Sequence, residues 1–330
     1  MSGSIQGKAN KPIRVLSIDG GGMRGIVPAT ILETFENLSG QPISALFDVM
    51  VGTSTGSILA VGLNVPAVDK PGPRYSAKDF VKMYVDLGAA IFHEDRSLLK
   101  VLDGITRPTY NPSGYEKILH DYFGDTTMAQ LLGEVAVPSI ELEDMYMHVF
   151  SRARGQKGKH SDYFVKQVIR AATAAPTYFP AASVASLDNS NKGTFVDAGV
   201  STNNPGVLAF AETSMISDNQ PCIFVSLGTG AITKPIPALK ARTWGEVEWL
   251  KAIFDLQGEA QSSYAEITIK EILQGKPGSS YHRYQVDLHQ LPFSMDDTRP
   301  EHLNELRQSA LAFASTKETE IRALTSLLLG

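Results

Sequence analysis

The chain has 330 residues and a net charge of −5, from 30 basic and 35 acidic side chains. This near-neutral balance argues against a dedicated binder of nucleic acid polymers, which is usually clearly basic. The single cysteine, Cys222, lies in an apolar run, which predicts a core residue and excludes an internal disulfide. No apolar run approaches the ~18 residues that span a bilayer, and the polar start lacks the apolar stretch of a signal peptide. We therefore expect a soluble, cytoplasmic, globular protein.

The N-terminal part shows two consecutive units of strand, glycine turn and helix, after a polar tail at residues 1–11 that we expect to be disordered. Such units in close succession predict a parallel α/β sheet. The predicted elements are a strand at 13–18, a helix at 26–38 stopped by Gly40, a strand at 46–51 and a helix at 57–63.

The remainder predicts further α/β elements and then a change of character. We expect one domain over residues 12–330, with a core at 13–230 and a helical C-terminal extension from about 237 packed on it. The predicted elements are a Pro/Gly-rich surface loop at 65–76, helices at 77–92 and 112–122, a strand at 146–150, a basic loop at 151–162, a helix at 163–175, a strand at 223–227, amphipathic helical patterns at 242–274 and 301–329, and a strand at 281–288.

A G-x-S-x-G sequence, from Gly52 to Gly56, lies between a predicted strand and a predicted helix. Its two glycines permit a sharp turn that would raise the Ser54 hydroxyl at the positive end of the following helix. This context favours a nucleophile. The alternative is a glycine-rich turn in which Ser54 is only the N-cap.

A second glycine-rich motif, Asp19 to Gly25, follows the first strand. Consecutive glycines let backbone N–H groups converge on an anion, as the oxyanion of acyl transfer requires. Gly20, Gly22 and Gly25 also satisfy the dinucleotide pattern G-x-G-x-x-G, so a nucleotide-binding module is the alternative. Against it, the next strand does not end in a ribose-binding acidic residue but leads into the serine turn.

A third candidate, Asp197, precedes Gly199 just upstream of a predicted helix start at Asn204–Pro205. A serine nucleophile needs a base, and none of the seven histidines lies in a context typical of a catalytic loop. The remaining option is an aspartate acting directly on the serine, with a pKa raised by burial. A simple turn aspartate is the alternative.

Together these motifs resemble the patatin-like phospholipases over about residues 13 to 230. The family pattern D-G-G-G-x-R-G, G-x-S-x-G and D-G-[GA] matches Asp19 to Gly25, Gly52 to Gly56 and Asp197 to Gly199 in order. The resemblance implies a three-layer α/β/α sandwich with a mostly parallel sheet. It implies a Ser–Asp dyad with Ser54 as the nucleophile and Asp197 as the general base. The oxyanion hole would be formed at Gly21, Gly22, Arg24 and Thr55.

The resemblance also implies hydrolysis of acyl esters of phospholipids or related lipids at a membrane surface, through an acyl-serine and with no metal or cofactor. One departure is Ala198, because alanine tolerates positive φ poorly. Two loops, at 65–76 and 151–160, carry basic residues suited to an anionic bilayer, but ordinary solvated loops are the favoured interpretation. Some bacterial relatives are effectors, such as anti-phage phospholipases activated by cyclic nucleotides. The resemblance leaves open whether this chain has a small-molecule or protein activator and whether it forms a homo-oligomer. A catalytically silent storage or interaction protein is a further alternative.

Overall fold

The computed structural model describes residues 11–92, 108–213, 215–216, 220–231, 236–289 and 294–330. Except for Lys11, the tail expected to be disordered lies outside these residues. Within them, eight strands form one sheet in the order β5-β6-β3-β2-β1-β7-β8, with β4 paired to β3. The strands are β1 Ile13–Ile18, β2 Val49–Gly52, β3 Glu134–Glu141, β4 Tyr146–Ser151, β5 Ala182–Ala185, β6 Lys192–Asp197, β7 Cys222–Leu227 and β8 Ser280–Tyr284.

The sheet is mixed but mostly parallel. Strands β3, β2, β1, β7 and β8 pair in parallel, whereas β4, β6 and β5 are joined by antiparallel pairs. The carboxyl ends of β1 and β2 lie side by side, with Ile18 opposite Gly52. Because both glycine-rich motifs start at these two ends, the parallel register brings them to one edge of the sheet.

Helices cover both faces of the sheet. They are α1 Ile26–Ser39, α2 Ile43–Leu46, α3 Thr55–Gly62, α4 Ala77–Ile91, α5 Ser113–Phe123, α6 Arg152–Gly155, α7 Val165–Ala172, α8 Gly206–Thr213, α9 Ala238–Ala241, α10 Glu246–Gln274, α11 Pro300–Thr316 and α12 Glu318–Leu329. Short 3-10 turns occupy Gly22–Gly25, Met128–Gln130 and Ala198–Val200. None of the described helices combines the length and the apolar character needed to cross a bilayer.

Two hydrophobic cores lie on opposite faces of the sheet, as the alternation along β1 requires. Leu16 and Ile18 belong to the larger core, which includes side chains of α1, α3, α4, α11 and α12. Ile13 and Val15 belong to the smaller core beneath α8 and α10, which also contains Cys222. The α/β/α expectation is therefore confirmed, and the cysteine is buried as predicted.

Several elements differ from the sequence-based expectations. The second strand starts at Val49 rather than residue 46, because Ile43–Leu46 forms one helical turn. The last amphipathic pattern is two helices that part at Lys317, and the C-terminal part also adds β8 to the sheet. Strands β3, β5 and β6 escaped prediction. Glu134 and Pro138 interrupt the apolar pattern of β3, and proline is unusual inside a strand.

The predicted basic loop at 151–162 begins with a helical turn, and its arginines are used internally. Arg152 Nε donates to the Leu131 carbonyl at 2.7 Å. Arg154 forms a bidentate ion pair with Glu212, whose carboxylate is buried. This segment therefore offers less free positive charge to a bilayer than its sequence indicated.

Candidate active site

Ser54 sits on a strained turn between β2 and α3. Its φ of 53° and ψ of −122° lie in a region that residues with a Cβ rarely adopt. The turn needs its glycines: a Cβ on Gly52 would lie 2.0 Å from the Gly56 carbonyl oxygen, and one on Gly56 would lie 2.3 Å from the Ile18 oxygen. The Ser54 side chain makes no capping hydrogen bond to α3, so its hydroxyl is not used as an N-cap.

Asp197 ends β6 and is almost fully buried. Its carboxyl group accepts the Gly199 N–H at 2.7 Å, and the Ser54 side chain lies near enough to lower the pKa of this carboxyl group. Its own N–H donates to Ala174 O at 3.1 Å, which fixes the strand end. Burial raises the pKa of Asp197, although the Ser54 side chain and the Gly199 N–H lower it in part. Two side chains 143 positions apart thus lie together, and burial raises the pKa of the carboxyl group to about 6.

The alanine in the D-A-G motif causes no strain. Ala198 opens a 3-10 turn over Ala198–Val200 and has no left-handed φ. The following glycine matters more, because a Cβ on Gly199 would lie 3.1 Å from Asp197 Oδ1. The concern that Ala198 would misplace the carboxylate is therefore resolved: the turn requires a small residue at 199 and accepts alanine at 198.

The glycine motif after β1 is shaped by close contacts with its own chain. A Cβ on Gly21 would lie 2.3 Å from Thr229 Oγ1, and one on Gly22, which has a φ of 59°, would lie 2.2 Å from the Met295 carbonyl oxygen. A Cβ on Gly25 would lie 2.3 Å from Tyr84 Oη. Since protein atoms occupy the approaches that these glycines open, the dinucleotide alternative is disfavoured.

Several backbone donors near Ser54 remain available. A Cβ on Gly20 would lie 3.3 Å from Ser54 Cβ, so the glycine loop runs beside the serine. Across the described ranges, the N–H groups of Gly21, Gly22 and Thr55 have no acceptor in the protein. Thr55 is the first residue of α3, so its N–H has no acceptor within the helix and carries partial positive charge. These donors can bind an oxyanion.

Arg24, the fourth residue expected at the oxyanion hole, holds the glycine loop in place through hydrogen bonds. Its N–H and its Nε both bond to the Gly21 carbonyl, at 3.2 and 3.3 Å, and its Nη1 donates to Gly230 O at 3.2 Å. The Gly21 carbonyl is thereby held toward Arg24. These bonds link the glycine loop to the segment that follows β7.

A buried ion pair that sequence reasoning missed supports the same loop. Arg283 on β8 donates to both oxygens of Asp19, at 3.0 and 2.6 Å, and to Ser226 Oγ at 2.8 Å. Burial alone would lower the pKa of Arg283, but the Asp19 carboxylate outweighs it and raises the pKa. The only sequence signal for this role was a charged residue in an otherwise strand-like stretch.

Replacing Arg283 with methionine is expected to lower the free energy of unfolding by about 3–5 kcal/mol, because it leaves the Asp19 carboxylate buried without a partner. Denaturant unfolding would measure the change. The double variant Asp19→Asn with Arg283→Met is the matched control and should recover much of the loss. A loss below about 1 kcal/mol in the single variant would show that the pair does not hold the loop.

The described histidines occupy other places. His148 packs against Phe150 and Phe195, and burial lowers its pKa. His120 contacts Lys166, and His282 contacts Ser280. In the described part of the chain, no three His, Cys, Asp or Glu side chains are grouped so as to hold a metal ion.

Comparisons with known proteins agree with this geometry. The family model described as patatin-like phospholipase matches residues 16–210. Patatin-like protein 2 of Oryza sativa subsp. indica is 28% identical and aligns with 90% of this chain and 82% of its own. Patatin-2-Kuras 3 of Solanum tuberosum is 30% identical, with coverages of 80% and 73%. Patatin-like protein 2 of Arabidopsis thaliana is 29% identical, with coverages of 83% and 76%. The chain therefore belongs to the patatin-like phospholipase family.

Proposed function

We propose that this chain hydrolyses acyl esters of membrane phospholipids through a Ser54–Asp197 dyad. One observation carries the proposal: a serine on a strained strand-to-helix turn lies beside a buried aspartate, and burial raises the pKa of that aspartate to about 6. Membership of a family of lipid acyl hydrolases supports the substrate class.

In the first half-reaction the Asp197 carboxylate accepts the Ser54 proton while Ser54 Oγ attacks the ester carbonyl carbon. The resulting oxyanion is stabilised by the free N–H groups of Gly21, Gly22 and Thr55, each worth about 3 kcal/mol. Asp197 then returns the proton to the departing alcohol, which is a lysophospholipid or its equivalent, and the acyl group stays on Ser54.

In the second half-reaction water replaces the alcohol. Asp197 takes a proton from the water, whose oxygen attacks the acyl-serine carbonyl carbon. The same N–H groups stabilise the second oxyanion. Collapse breaks the bond to Ser54 Oγ, which recovers its proton from Asp197, and a fatty acid leaves. One carboxyl group thus alternates between base and acid, a role that suits a pKa close to the working pH.

The reaction class is tested by incubating the protein with vesicles of mixed phospholipids and identifying the products by mass spectrometry. We expect free fatty acid and lysophospholipid in equal amounts from the parent protein and neither from Ser54→Ala. Release of a phosphorylated headgroup or of diacylglycerol would place the cleavage at another bond and contradict the proposal.

The pH dependence follows from the raised pKa of Asp197. Only the ionised carboxylate can accept the serine proton, so kcat/KM on a soluble ester should fall about tenfold per pH unit below about pH 6 and level off above it. A pH–rate profile from about pH 4.5 to 9 measures this fall, which is the acid limb of the profile. A profile that stays flat down to about pH 4.5 would exclude a base with this pKa.

A further inference from the structure

A segment that follows β7 is tied to both halves of the dyad site. After β7 ends at Leu227, the Gly230 carbonyl accepts a hydrogen bond from Arg24 Nη1 of the glycine loop. The segment returns along α10, where Gln257 Nε2 donates to the carbonyl of Val200, just after the Asp197 turn. Gln261 exchanges two hydrogen bonds with the main chain of Asn204, at 2.8 and 3.0 Å. We call residues 236–256 the cap segment.

The cap segment exposes a band of apolar side chains. On α10, Trp249, Ile253 and Leu256 are 36%, 46% and 45% exposed. At 3.6 residues per turn they fall within an arc of about 60°. Gln257, which bonds toward the site, lies at the side of this arc. Leu239 on the short helix α9 adds a side chain that is 79% exposed. A band of this kind on one side of a helix marks an interaction surface.

The chemistry of the cap segment fits an interface between water and lipid. The chain has two tryptophans, and both lie here, with the Trp244 and Trp249 rings 5.3 Å apart in an edge-to-face contact. Tryptophan favours such interfaces because its ring is apolar and its N–H is polar. Residues 236–245 carry two basic side chains, Lys240 and Arg242, and no acidic one.

Two acidic side chains of α10 have partners within the protein. The Glu248 carboxylate accepts the Gly245 N–H at 3.2 Å and so caps the helix. Glu266 forms an ion pair with Lys270, one turn further along the helix. Residues 236–256 carry three basic and three acidic side chains in total, so the excess of positive charge is confined to residues 236–245, where Lys240 and Arg242 are complementary to anionic headgroups.

We propose that the cap segment docks on the surface of a bilayer that contains anionic lipid, and holds the mouth of the dyad site against the acyl esters there. This inference rests on the proposed function, because the substrate is a bilayer lipid. Burying one large apolar side chain in the interface raises affinity by about tenfold or more. Each basic side chain near an anionic surface adds about fivefold.

The two tryptophans provide a direct readout. The Ser54→Ala protein, which leaves lipid intact, is titrated with vesicles of phosphatidylcholine containing phosphatidylglycerol while tryptophan emission is recorded. We expect a saturable blue shift, weaker with phosphatidylcholine alone. Adding Ile253→Ser or Leu239→Ser should weaken the apparent affinity by about tenfold or more. Leu327→Ser, at a 49% exposed leucine on α12, is the matched control and should leave the affinity unchanged.

The same substitutions in the active protein separate docking from chemistry. Ile253→Ser should lower hydrolysis of vesicle lipid by about tenfold and leave hydrolysis of a soluble short-chain ester unchanged. Unmoved tryptophan emission in a protein whose parent hydrolyses vesicles would overturn docking by this segment. Docking by this segment would also be overturned if sedimentation showed that Ile253→Ser dissociates a dimer, because a second copy of the chain would then cover this face. Vesicle binding that depends on Ile253, in a parent that cleaves neither substrate, would support docking and refute the proposed function.

Discussion

Ser54→Ala is expected to reduce ester hydrolysis by about 10⁴- to 10⁶-fold, the scale found when a serine hydrolase loses its nucleophile. Alanine removes the oxygen that forms the acyl-enzyme, whereas the free N–H groups of Gly21 and Gly22 remain and sustain only residual catalysis. Initial rates on a soluble ester and on vesicle lipid would measure the loss. Alanine at a position with a φ of 53° keeps the strain that serine has, so the fold should persist.

A matched control is available in the same turn. Ser57 lies on α3 and its hydroxyl donates to the Ser54 carbonyl at 2.5 Å, so Ser57→Ala removes one hydroxyl nearby without removing the nucleophile. We expect its rate to stay within about tenfold of the parent. Hydrolysis by Ser54→Ala at a rate close to that of the parent would assign the chemistry to another residue.

Asp197→Asn is expected to lower kcat/KM by about 10²- to 10⁴-fold, the usual contribution of a general base. The amide oxygen can still accept the Gly199 N–H, so the 3-10 turn is preserved. An amide cannot take the serine proton, however. The acid limb of the pH–rate profile near pH 6 should disappear from whatever activity remains. Activity close to that of the parent, with the acid limb intact, would mean that another group acts as the base.

The same substitution should stabilise the fold at high pH. Burial raises the Asp197 pKa above its ordinary value of 3.8, so its stabilising contribution is complete below that value and is lost as the pH rises through about 6. A neutral amide avoids this loss. The free energy of unfolding of Asp197→Asn at about pH 8 should exceed that of the parent by about 1–3 kcal/mol. Greater stability with lower activity would distinguish a lost base from a damaged fold.

The sequence predicted best the elements whose pattern is local. Strand β1 alternates between two cores, and α1 runs from Ile26 to a left-handed Gly40, as expected. Strand β3 escaped because Glu134 and Pro138 interrupt its apolar run, and its extended form is stabilised by pairs with β2, β4 and β6. Such pairing is set by tertiary contacts that no short window of sequence contains.

The same distinction holds for the site: features set by a local sequence pattern were predictable, and features set by contacts between distant residues were not. The strained turn at Ser54 was predictable from Gly52 and Gly56, because a glycine spacing encodes it. The meeting of Ser54 with Asp197 came from the family resemblance, since nothing in the spacing of two distant residues fixes their separation. The bond from Arg283 to Asp19 joins residues 264 positions apart and had no local signal.

A fluorophosphonate, which forms a stable adduct only with an activated serine, provides the sharpest test of the dyad. After a short exposure, digestion and tandem mass spectrometry locate the modified residue. We expect one adduct per chain on the Ser54 hydroxyl, no labelling of Ser54→Ala, and labelling of Asp197→Asn slowed by at least about 100-fold. Label on a different side chain, or equal labelling rates with and without the Asp197 carboxylate, would contradict it.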